Sequence, residues 1–358
     1  MTSTLSKISF RAVSALFVLV LVGAGCGTPK VAQDVEPQEA GPPMPKQDFS
    51  IKAQDGGAVV LQPTDGSSIK IIFPQGSLES DSDLEVAERP DSGEGVLSHG
   101  FSLNRKGSAD GPKLKYPALL VFALGKEVPD DASIVRYNPG GSYDVIPTRV
   151  SSKDGKAMLV AEVDRFSDYG TRQVDPAAIQ SAKDSQEPAD FNWVIYANDS
   201  YDIDAGAMKR KVTLDFKAVN TSGDVVGEYK GYARAQTSNK MDIGDGGVTA
   251  DSQVKDDNVS FTLEPYVELA PLVERDDGLA DLEPERLPDL MGQGSLNMSG
   301  SGGGTVSAKG RTYGADLKVQ DSHDAMTVVV TGPLVRLTVT VNGIGTMYFD
   351  GYIRGEGK

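Results

Sequence analysis

Few residues in this chain could do chemistry, and their spacing rules out most of it. Its 358 residues include two histidines, His99 and His323, and one cysteine, Cys26. A disulfide or a CxxC redox or metal site needs at least two thiols, so both are excluded. His323-Asp324 has the order of a triad fragment, yet both histidines lie in polar, turn-like contexts and no G-x-S-x-G elbow is present. Both are expected in exposed loops. No H-E-x-x-H occurs, and two histidines without a second thiol do not make a catalytic zinc site. The run Gly300-Ser301-Gly302-Gly303-Gly304 has the texture of a phosphate loop. A true one ends in Lys-Ser/Thr and opens a helix, whereas strand-like Thr305-Val306-Ser307-Ala308 follows here. It is expected to be a connector. Asp202-Ile203-Asp204-Ala205-Gly206 and the stretch from Asp242 to Gly247 carry pieces of a calcium-loop spacing, without the glycine at position six and the glutamate at twelve. Carboxylates are abundant, but the order of residues does not set two of them across a cleft, and Trp193 is the one tryptophan available as a sugar platform. The chain reads as non-catalytic, with no cofactor and no metal site.

Charge narrows the partners. The net charge is −16, and removing residues 1–25, which hold Lys7, Arg11 and no acid, takes it to −18. Such a chain gains nothing from counterion release on nucleic acid, and anionic headgroups repel it. Apolar content of 39% and mean hydropathy of −0.27 fit soluble globular material, with length for about two domains.

The N-terminal stretch has a different texture. Lys7 and Arg11 precede an apolar segment from Ala12 to Val22 broken only by Ser14, too short for a stable spanning helix. It ends in Leu21-Val22-Gly23-Ala24-Gly25-Cys26, whose small residues leave the backbone open to a peptidase. This resembles a bacterial lipoprotein lipobox, although the family prefers leucine where Gly23 stands. The resemblance implies diacylglycerol on the Cys26 thiol, cleavage just before it, and an extracytoplasmic protein held to the membrane by lipid. Gly27 is not a retention-type aspartate, so a host with two membranes would place it in the outer one.

The elements behind the anchor read as β throughout. Residues 26–50, with Pro29, Pro37, Pro42, Pro43 and Pro45, form a proline-rich tether averaging roughly 25–30 Å end to end. From Ile51 come short β-patterned runs separated by turns. Asp55-Gly56-Gly57 precedes Ala58 to Leu61, and Asp65-Gly66 precedes Ser68 to Phe73. Ala118 to Phe122 is continuously apolar, as a strand buried on both faces would be. Ile134 to Tyr137 turns at Asn138-Pro139-Gly140-Gly141 into Tyr143 to Ile146. This pattern predicts an antiparallel β-sandwich. The order of Gly56-Gly57, Ile71-Ile72-Phe73-Pro74-Gln75-Gly76-Ser77-Leu78, Lys115 to Phe122 and Phe166-Ser167-Asp168-Tyr169 resembles the ZU-five domain over residues 51–172. Some ZU-five relatives cut their own backbone at His-Phe-Ser. Here Arg165-Phe166-Ser167 lacks the histidine, and a guanidinium cannot act as the base. The chain is expected to stay whole.

Residues 173–189 read as a linker with room for one short helical turn and without a periodic apolar face. Residues 190–358 alternate with period two: Val212, Leu214, Phe216 and Ala218 against Thr213, Asp215 and Lys217, and Val335, Leu337, Val339 and Val341 against Arg336, Thr338 and Thr340. That predicts a second antiparallel sandwich or a β-barrel, with Asn342-Gly343 as a hairpin turn. Long strands and aromatic girdles are not evident, which argues against an outer-membrane barrel. An acidic insertion, residues 268–293, interrupts the pattern. The expectation is a surface-tethered lipoprotein whose two β-domains present loops to an extracellular or envelope protein or glycan. The alternatives are a structural envelope component and, third, a hydrolase in the C-terminal domain. A closed barrel with an apolar cavity would instead favour a small-ligand carrier.

Overall fold

The computed structural model describes residues 43–107, 113–153, 155–244, 246–266, 289–341 and 345–358. The export segment, Cys26, most of the tether, the insertion through residue 288 and the Asn342-Gly343 turn lie outside the described residues. The fold is all-β, with antiparallel sheets throughout and one helix among the described residues.

The first half is a two-sheet sandwich. One sheet, of six strands, runs in the order β1 (Gln47–Ile51), β4 (Ser82–Arg89), β5 (Val96–Arg105), β11 (Asp168–Gln173), β7 (Ala132–Tyr137) and β8 (Tyr143–Ile146). Facing it are β2 (Gly57–Leu61), β3 (Ser68–Phe73), β6 (Ala118–Leu124), β10 (Lys156–Val163) and β9 (Thr148–Lys153). The turns follow their glycines: Gly56 and Gly66 have φ of 72° and 82°, which a side chain would strain. β1 begins inside the stretch read as tether. Its Gln47–Ile51 pairs with β4 through Phe49↔Leu84, and Phe49 packs on the sandwich core.

The sheet of five strands is apolar on both faces, and this organises the molecule. Ile69, Ile71, Leu120, Phe122 and Leu159 face the sandwich core, whereas Ile72, Leu119, Val121 and Val160 pack with residues of the second half. The continuous apolar run of β6 arises from this double burial.

Between the halves, α1 (Pro176–Asp184) occupies the segment read as a linker. Asp175 caps it by accepting the Ala177 N–H at 2.8 Å, proline stands at its first position, and Ile179 packs beside Val135, Tyr137 and Val174. One apolar residue thus docks it, too few to give a periodic signal.

The second half is a closed barrel of eight strands, each paired with its sequence neighbour: β12 (Phe191–Ala205), β13 (Met208–Asn220), β14 (Gly227–Ile243), β15 (Gly246–Pro265), β16 (Leu290–Ala308), β17 (Arg311–Thr331), β18 (Leu334–Val341) and β19 (Gly345–Gly357), which returns to β12. Four of these strands run to 17–21 residues, longer than the broken sequence pattern suggested. The polarity still runs inward: Val212, Leu214, Phe216 and Ala218 are buried, while Thr213, Asp215 and Lys217 lie between them on the outer face. Leu290–Gln293, counted with the insertion, begin β16, with Leu290 fully buried. No described helix is long and apolar enough to cross a membrane.

Two sequence expectations are corrected by this barrel. Gly300–Gly304 is not a connector but part of β16. There the strands approach so closely that a Cβ on Gly300 would lie 1.9 Å from the Gln253 carbonyl oxygen. His323-Asp324 is not a loop but part of β17, with Asp324 buried.

Candidate ligand-binding cup

The sandwich closes one end of the barrel, and the barrel's own rings fill that end. Phe191 and Trp193 pack edge to face at 5.4 Å, and Tyr229 stacks on Phe261 at 5.3 Å, with Phe216 beside them. The seam carries a buried carboxylate, Asp289, and a half-buried one, Glu162. Lys70 of β3 pairs with Asp289 at 2.9 Å, and Asp289 also accepts the Gly332 N–H at 2.8 Å. Burial raises the Asp289 carboxyl above the ordinary range, against the pull of Lys70 and Gly332. Glu162 of β10 accepts the Trp193 indole N–H at 2.9 Å and the Val225 backbone N–H. Burial, with nearby Asp224 adding to it, pushes Glu162 up to about 8 despite those two donors. Arg149 reaches across to Asp224 at 2.7 Å. Residues 40–358 accordingly form one compact unit.

At the opposite end the inward positions shrink. Ala235, Thr237 and Ser252 face in, and the register sets Gly300 beside Val254 and Gly302 beside Ser252. With so little side-chain mass, the barrel cannot fill itself there, and a cavity of about 230 Å³ remains, open at the hairpin end. Val212, Leu214, Leu296, Met298, Val339 and Phe349 supply its apolar wall. Its polar groups are Arg210, Thr237, Asn239, Ser252 and Asp324. Arg210 lies two residues past the β12–β13 hairpin, at the mouth. Its Nε donates to Asn239 Oδ1, while the Asn239 amide donates to the Ala250 carbonyl at 3.1 Å, which fixes the guanidinium against the wall. An engineered apolar cavity of about 150 Å³ holds one benzene, so this cup has room for roughly ten non-hydrogen atoms.

The residues singled out by type fare differently. Cys26 lies outside the described residues. His99 is not in a loop: it belongs to β5, its side chain is 13% exposed, and it meets Glu88 at 2.6 Å. Glu88 also accepts from the Met44 N–H and from both donors of Thr64. Burial alone would raise this carboxyl, but the Met44, His99 and Thr64 donors together hold it at about 2. The cluster ties the start of the described chain to the sandwich edge. Phe166 packs on the sandwich core beside Phe73 at 6.5 Å, Arg165 is held by Asp164 at 2.9 Å, and the Tyr169 hydroxyl donates to the Arg165 carbonyl at 2.7 Å. Asp204 closes its own turn by accepting the Gly206 N–H at 3.0 Å. Arg210 and Asn239 drew no notice in the sequence. Their signal is a polar residue at an inward position, visible once Val212, Leu214 and Phe216 are known to face in.

Fold and cup together define a class: a closed meander barrel with an apolar, open-ended interior, plugged at its other end by a β-sandwich. No family model matches the chain, and no curated protein matches it.

Proposed function

We propose that this protein is a non-catalytic, lipid-anchored extracytoplasmic binding protein whose barrel takes up a small apolar ligand. The observation that carries this reading is the cup of about 230 Å³, walled by aliphatic and aromatic side chains and open at one end. Anchoring through Cys26 and placement outside the cytoplasm rest on the lipobox resemblance. The ZU-five resemblance of residues 51–172 is kept as part of the proposal, with the sandwich acting as plug and stand for the barrel.

The test is a fluorescence titration of the mature chain with N-phenyl-1-naphthylamine, a neutral apolar probe. Saturable binding near one equivalent is expected, with at least tenfold loss in Leu296→Trp, which fills the cup. Absence of saturable binding, or binding untouched by Leu296→Trp, would refute the reading. The outer face favours a second one. A polar groove of about 420 Å³, lined by Lys211, Thr213, Gln236, Asp251, Gln253 and Ser301, suits a glycan, although no lining residue is aromatic.

A further inference from the structure

We infer that the ligand of the cup is an amphiphile with an anionic head, its tail inside the barrel and its carboxylate or equivalent group held at the mouth by Arg210. The inference rests on the apolar-ligand reading above and adds the chemistry of the head. Six of the eleven arginines among the described residues pair with acids, among them Arg136 with Asp144, Arg149 with Asp224, and Arg336 with Asp350. Arg210 is placed differently. Its one hydrogen bond among the described residues goes from Nε to the neutral amide of Asn239, and it has no salt bridge to a described carboxylate. The bond orients the guanidinium plane and leaves the Nη edge without a described partner, the edge that binds carboxylates in bidentate fashion.

The surroundings set the direction of the ligand. Below Arg210 the wall is Val212, Leu214, Leu296 and Val339, which suits an alkyl or aryl tail. Asp324 also lines the cavity, on β17 opposite Leu296, and is already engaged within the protein. A carboxylate there opposes an anionic head sunk to its level, so the head belongs with Arg210. A charge pair at the edge of an apolar cavity is screened less than one on open surface. The negative charge of the whole chain slows the approach of an anion, but at physiological salt that field decays within about 8 Å, whereas the Arg210 contact is local.

The experiment displaces N-phenyl-1-naphthylamine from the mature protein with decanoate and, separately, with decanol, at neutral pH. The two share a tail and differ in the head. Wild type should bind decanoate roughly tenfold tighter or more, the usual worth of a hydrogen-bonded charge. Arg210→Gln should erase most of that difference by weakening decanoate far more than decanol. Equal affinity of the two in wild type overturns the inference without touching the apolar-ligand reading, and needs no variant. A decanoate preference that survives Arg210→Gln also overturns it. If the probe itself fails to bind, the underlying reading fails, and this inference with it.

Discussion

Replacing Glu162 with glutamine should change how stability depends on pH more than it changes stability at any one pH. Glu162 lies half-buried at the seam, where its Oε1 accepts from Trp193 and from the Val225 backbone. Burial raises it from 4.5 to about 8. A carboxyl raised by folding binds more protons in the native than in the unfolded chain between those two values. Its contribution is therefore full below the lower value and lost as pH rises through the upper one. Each unit is worth about 1.4 kcal/mol, so wild type should lose about 4 kcal/mol relative to Glu162→Gln between about pH 5 and about pH 9. Glutamine keeps an oxygen for the Trp193 and Val225 donors and adds a fixed, pH-independent offset from its amide. The assay is urea unfolding of both proteins across that range, followed by Trp193 fluorescence, the indole being one of the donors involved. Curves that stay parallel from acid to base would show that Glu162 is not buried as described, and the seam would have to be wetter than this packing implies.

Two further outcomes follow from the same geometry, and a third from the lipobox resemblance. Lys70→Ala should cost about 3–5 kcal/mol in urea unfolding, because it strands a buried carboxylate, whereas Lys70→Met with Asp289→Leu should recover only part of the loss, the buried Gly332 N–H then lacking its acceptor. Glu88 is held at about 2 in the fold, so its contribution of roughly 3 kcal/mol is present above about pH 4.5 and lost as pH falls toward 2; Glu88→Gln should flatten that acid limb of the stability curve. Cys26→Ser should leave unprocessed or mislocalised precursor, and processing and membrane partitioning unchanged from wild type would remove the basis for a lipid anchor.

The strands were legible wherever one face met water. Val212, Leu214 and Phe216 alternate with Thr213, Asp215 and Lys217 because the barrel has a dry inside and a wet outside. Ala118 to Phe122 was legible as doubly buried, but not what covered its second face: a barrel end packed on a sheet leaves the same apolar run as a helix would. The upper halves of β14 to β16 hid for a physical reason. Their inward residues line an unfilled cup, so Thr237, Ser252, Gly300 and Gly302 stand where a packed core would show large apolar groups, and the period-two signal vanishes. The same absence of bulk makes the cavity, so the site erased the pattern that would have revealed it. His99 misled in another way. Its polar neighbours read as a loop, yet Glu88, Thr64 and Asp65 satisfy one another and the backbone around it.

The claim that matters most is that the barrel interior is a binding site rather than a packing defect, and a heavy-atom ligand tests it most directly. Crystals of the mature protein grown with 10-bromodecanoate should show the anomalous peak of bromine inside the barrel, against Leu214, Leu296 and Val339, with the carboxylate at Arg210. Bromine only on the outer face, or no ordered bromine while the cup stays empty at saturating ligand, would contradict the account.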